Sequence, residues 1–154
     1  MSALVAVLGA VGFGLGSAMV PILNAEAYAV ISGTREPVAI AACVALALAL
    51  GQTAGKLLLF EAARRGSARL SAITRRERHH PGTWSARVKA VLDRPRSGVP
   101  LVLMSSALGL PPLAAVALAA GSSQQRRVVF GAVCFAGRLA RFTAVAVPAA
   151  WVLV

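Results

Sequence analysis

The sequence predicts an all-α integral membrane protein. It is expected to be an inverted repeat of two re-entrant helical hairpins, each followed by a transmembrane helix, with a basic amphipathic cytoplasmic connector between the halves. Three observations predict this. Of the 154 residues, 58% are hydrophobic and only 14% are charged, with a mean hydropathy of +0.75, whereas soluble domains run near about a quarter charged. The apolar blocks are interrupted inside their length, by Pro21 and Asn24 in the first half and by Gly109, Pro111 and Pro112 in the second. The halves also carry similar strings, AGKLLLF over Ala54–Phe60 and AGRLARF over Ala136–Phe142, so that Gly55 matches Gly137, Lys56 matches Arg138 and Phe60 matches Phe142.

The formal charge of +11 is concentrated, with ten of the sixteen Lys and Arg residues lying between Ala63 and Arg96. Flanked by apolar blocks, such a cluster reads as a cytoplasmic loop facing anionic lipid heads. Neither a recognition fold nor a stacking platform accompanies it, so no nucleic acid is expected as a partner. Cys43 and Cys134 sit inside apolar runs and read as small core residues. His79 and His80 lack further ligands at metal spacing, and they read as part of a solvated loop. Neither a metal nor a cofactor is expected.

In chain order, Ala3–Val20 is apolar, with Gly9, Gly12, Gly14 and Gly16 open to close helix approach. At about 1.5 Å per residue it reaches about 27 Å, at the edge of spanning a hydrocarbon core of about 30 Å. It therefore either spans or enters and turns back at Pro21, and Ala25–Ile31 is too short to cross alone. Residues 3–33 are read as a hairpin with its tip near Pro21–Asn24, closed by the polar run GTREP over Gly33–Pro37. Val38–Ala62 is a full passage, ended at the cytoplasmic side by Arg64, Arg65 and Arg69. The polar connector follows, and within it Thr83–Leu92 places Trp84, Val88, Val91 and Leu92 at helical spacing, the pattern of a short helix at the lipid interface or of a soluble loop helix. Val99–Gly121 has the length of one span, but its glycine and prolines break it into a second hairpin. Gly121–Arg127 returns, and Val128–Val154 is the last passage. One membrane domain results: a first hairpin and helix over 3–62, a basic loop over 63–97, and a second hairpin and helix over 98–154.

Ionisable residues at membrane depth are functional candidates, because a charge there costs about 2.5 to 3.5 kcal/mol on insertion scales. Glu26, Asn24, Lys56, Arg138 and Arg141 are these candidates. Arg138 and Arg141 stand one turn apart on one helix face. Arginine presents a planar fork suited to phosphate. Glu26 is placed to pair with an arginine in the empty state, or to take and release a proton as an anion arrives. Their plainer roles are a snorkelling lysine, a clamp of hairpin carbonyls, and a loop carboxylate at the outer interface.

The same positions resemble the DedA superfamily, the SNARE-associated or VTT-domain membrane proteins. Pro21, Asn24, Ala25, Glu26 and Gly33 fall in the register of its first hairpin, P-x-x-P-G-E with Gly seven residues later. Glu26 and Gly33 match, and Asn24 and Ala25 replace Pro and Gly. Its next signature, G-x-x-x-G-D-x-x-x-Y-x-x-G-R, falls on Gly51, Gly55, Lys56, Phe60, Ala63 and Arg64, with Lys, Phe and Ala replacing Asp, Tyr and Gly. SALGLPPLAAVALAAG is similar to the second hairpin, with Leu113 and Ala114 near the position of the family's arginine. The resemblance implies a lipid transporter: undecaprenyl phosphate recycling in bacteria, phospholipid scrambling in eukaryotic relatives, and dependence on the proton-motive force. A passive scramblase or a non-transporting structural membrane protein is the alternative. No nucleophile–base pair is evident, so an enzyme is not expected.

Overall fold

A computed structural model describes residues 3–19, 25–35, 37–73 and 83–152. Those residues contain seven helices and no strands: α1 (Ala3–Met19), α2 (Ala25–Arg35), α3 (Val38–Ile73), α4 (Thr83–Leu92), α5 (Pro95–Leu108), α6 (Leu113–Gly121) and α7 (Arg127–Val152). The all-helical class is as the sequence predicts. Two stretches, Val38–Ser67 of α3 and Arg127–Ala149 of α7, are long and apolar enough to cross a membrane, with mean hydropathies of 1.9 and 1.6. The first hairpin's tip, with Pro21 and Asn24, and the loop with His79 and His80 lie outside the described residues, as does the side chain of Trp84.

Two compact units form, one from residues 1–55 and 134–154 and the other from residues 56–133. They do not follow the halves of the sequence, because α3 and α7 each contribute one end to each unit.

In the first unit small residues let backbones meet. Gly14 and Gly51 face each other where α1 crosses α3: a Cβ on Gly14 would stand 2.8 Å from the Leu48 carbonyl oxygen, and one on Gly51 would strike the Val11 carbonyl oxygen. Alanines dominate the core, with Ala6, Ala10, Ala29, Ala45 and Ala49 packed around Leu48 and Phe142. Where helices associate in lipid, such close approach replaces the hydrophobic force that water would supply. Phe13 and Tyr28 stack with ring centroids 4.9 Å apart, and the Tyr28 hydroxyl donates to the Ala6 carbonyl at 3.4 Å. These contacts hold α1 against α2.

In the second unit α4, α5 and α6 pack on one another, and Phe60 of α3 stacks on Phe130 of α7 at 5.0 Å. The break in the second apolar block is real. Gly109 adopts φ 81, a conformation that disfavours any side chain, and its N–H caps α5 on the Ser105 carbonyl. Pro112 then opens α6, whose first turn needs no donor from it.

Several sequence expectations are corrected. Helix α3 does not stop near Ala62 but runs on through Arg64, Arg65 and Arg69 to Ile73, since nothing in that stretch breaks a helix and Arg65 is paired with Glu61 one turn back. Helix α2 continues to Arg35, and Gly33 is a packing position rather than part of a polar turn: a Cβ there would lie 2.6 Å from the Ala146 carbonyl oxygen of α7. Gly12 meets nothing within 4 Å, so it is not a close-approach glycine. Cys134 is buried as expected, but Cys43 is exposed. Helix α4 begins and ends where its pattern predicts, and Val88 and Leu92 are buried where it packs on α5 and α6.

Candidate functional site

Glu26 lies in the first turn of α2, where the helix N-terminus favours a carboxylate. Arg138 and Arg141 lie on α7, three residues apart and therefore on one face. The fold of the first unit brings these three together. Glu26 Oε1 forms an ion pair with Arg141 Nη2, with the carboxylate side chain 40% and the guanidinium side chain 24% exposed. Arg138 stands within electrostatic reach of Glu26, Arg141 and Cys134. Its Nε is buried without a hydrogen-bond partner. A buried donor with no acceptor is costly, by about 1 to 3 kcal/mol. Two guanidinium groups against one carboxylate leave one positive charge, so the group is suited to an anion.

Lys56 is buried, at 7% exposed, belongs to the second unit and is not without a partner. Gly109, Pro111 and Pro112 form the break between α5 and α6, where Ser105 Oγ donates to the Pro111 carbonyl oxygen. Asn24 and Pro21 lie outside the described residues.

Sequence reasoning missed a polar pair beside the first unit's core. Gln52 Nε2 donates to Ser17 Oγ at 2.8 Å between α3 and α1, and both Gln52 Oε1 and Thr53 Oγ1 are buried without partners. The signal was present in the adjacent Gln52 and Thr53 of an apolar run, since a buried polar side chain needs a partner. Nothing in the local sequence names Ser17 as that partner. No family model, curated protein or solved structure matches this chain.

Proposed function

We propose that this chain is a membrane transporter or flippase that moves a lipid phosphate, an undecaprenyl phosphate-like lipid or a phospholipid, across the bilayer, as its resemblance to the DedA superfamily implies. The observation that carries this reading is the Glu26–Arg141 ion pair beside Arg138, whose buried Nε has no acceptor. A phosphate that leaves water needs charge-assisted donors in its place. In the resting state Glu26 occupies Arg141. An arriving lipid phosphate exchanges with that carboxylate, takes one oxygen to Arg141 and another to Arg138, and Glu26 is released. The exchange of one anion for another keeps the site from holding two uncompensated cations at depth.

The surface supports a lipid setting. Leu8 of α1, Leu50 and Leu58 of α3, Leu103 and Leu108 of α5 and Val128 and Trp151 of α7 are all exposed, large apolar side chains of the kind a lipid-facing surface carries. The packing of two glycines supports an inverted repeat. Gly33, at the end of the first hairpin, lies on Ala146 and Ala149 of α7, and Gly121, at the end of the second, lies on Phe60 and Ala63 of α3. One helix end of each proposed hairpin thus touches the long helix of the other half, a contact that an inverted repeat would make twice. We place the chain in the plasma (inner) membrane as a multi-pass protein, with the basic loop cytoplasmic against anionic lipid heads. The arrangement is compatible with a homo-oligomer.

Proteoliposome translocation of a polyprenyl phosphate against a phospholipid tests the reading, for the unaltered chain, Glu26→Gln and Arg138→Ala. Loss of polyprenyl phosphate transport alone, in both variants, is the expected result. Equal movement of both lipids, indifferent to pH and to either substitution, would assign a passive scramblase instead.

A further inference from the structure

Helices α2 and α7 run side by side in the same direction. Glu26 meets Arg141 at the start of α2, and Gly33, farther along, meets Ala146 and Ala149 of α7. The rise from Glu26 to Gly33 is about 10 Å, and the rise from Arg141 to the Ala146–Ala149 turn is about the same, so the two helices stay in register. At about 1.5 Å per residue, Arg141 stands about 21 Å and about 12 Å from the two ends of the apolar stretch Arg127–Ala149. In a membrane the ion pair therefore sits at hydrocarbon depth, below the level of the lipid head groups.

The pair is also open. Its carboxylate and guanidinium side chains keep 40% and 24% of their surface, and apolar groups continue the opening along both helices. Val30, one turn beyond Glu26 on the same face of α2, is exposed. Ala144 and Val145, one turn beyond Arg141 on α7, are exposed and partly buried respectively. The result is a seam with charge at one end and small aliphatic side chains along it.

Such a seam treats the two parts of a lipid differently. A phosphate drawn to this depth loses its water, and the arginines offer charge-assisted donors in exchange. The tail has nothing to gain. Lipid tails are as apolar as the aliphatic side chains of a helix, so a tail that leaves its neighbours to lie on Val30 and Ala144 gains no hydrophobic energy. Discrimination therefore acts on the head and not on the tail.

We propose that the site opens sideways between α2 and α7, takes in only the phosphate head and leaves the tail in the bilayer, so that its substrates are lipids defined by a terminal phosphate whatever their tail. This rests on the transport reading and narrows it, because polyprenyl and diacylglyceryl phosphates become equivalent substrates. The head enters past Val30 and Ala144, and the tail stays outside them.

The test uses the full chain in proteoliposomes and three lipids that share a terminal phosphate and differ in tail: a long polyprenyl phosphate, a short polyprenyl phosphate and phosphatidic acid. At equal mole fraction their rates are expected to agree within about threefold, since the tails exchange one apolar neighbour for another. Glu26→Gln is expected to lower all three together. Ala144 is exposed, so a larger side chain there meets no core, and Ala144→Trp is expected to slow all three by about tenfold by narrowing the seam. The tail series needs no variant, so it decides the matter even if a substitution unfolds the chain. A preference of about tenfold or more for one tail overturns this inference alone, because it would require a pocket that reads the tail. Rates unchanged in folded Ala144→Trp protein overturn the sideways opening. Movement of none of the three lipids would overturn the transport reading and this inference with it.

Discussion

Polar side chains in the first unit join elements far apart in the sequence, whereas in the second most of them serve the backbone beside them. Glu26 reaches from α2 to Arg141 on α7, and Gln52 reaches from α3 to Ser17 on α1. Ser105 and Ser106 are completely buried in the second unit, yet they donate only to Pro111 and Leu103, within a few residues. The aromatic balance is reversed. Phe142 of the first unit is packed among alanines, while its repeat mate Phe60 stacks on another phenylalanine. Similar strings have thus been given different work. One unit concentrates charge between helices, and the other stabilises a broken helix and closes over it with aromatic and small residues.

Packing density is where both units are expected to break most readily. Gly51→Val in the first unit and Gly121→Val in the second each drive a side chain into a facing helix backbone, at Val11 and Phe60 respectively. Backbone cannot move aside as a flexible side chain can, so each substitution should cost 3 kcal/mol or more, at the top of the range of about 1 to 3 kcal/mol for overpacking. Loss of folded, monodisperse protein in detergent is the readout, and a stable Gly121→Val chain would show that α6 does not rest on α3 as described. Gly12→Val, at a position open to space, is the matched control and should be tolerated.

The aromatic contrast predicts a smaller effect. Phe60→Leu removes the stack on Phe130, and Phe142→Leu leaves a void among alanines; each should lower stability by about 1 to 2 kcal/mol in thermal unfolding. Adding Phe130→Leu to Phe60→Leu should cost less than the sum of the two changes, because they share one contact. Strict additivity would mean that the rings do not support each other.

The ion pair comes next. Since the Glu26 side chain is 40% exposed, removing its charge should change stability by no more than about 1 kcal/mol. Arg141→Gln and Glu26→Gln should each destabilise slightly, and the double variant should recover part of the loss. A difference in transport far larger than the difference in stability would separate a working site from a structural clamp. The smallest effect belongs to the polar pairs. Ser17→Ala should cost about 0.6 kcal/mol, the average for a hydrogen bond between helices in lipid, and Ser105→Ala should cost a similar amount. If Ser17→Ala proved as damaging as Gly51→Val, the Ser17–Gln52 bond would be a principal tie between α1 and α3.

What the sequence determined by itself was set by local forces. Hydropathy and helical period gave the all-helical class and the two long apolar helices. Gly109 with Pro111 and Pro112 gave the break between α5 and α6, because a left-handed glycine and residues without an N–H act on their own backbone. The spacing of Val88, Val91 and Leu92 gave α4 its bounds. The tertiary structure alone decided that Arg141 rather than Arg138 takes the Glu26 carboxylate, that Ser17 answers Gln52, and that Gly33 and Gly121 carry helix crossings instead of loops. These outcomes depend on which faces meet across distant segments, and a charge or a glycine does not name its partner until packing brings one within a few ångströms.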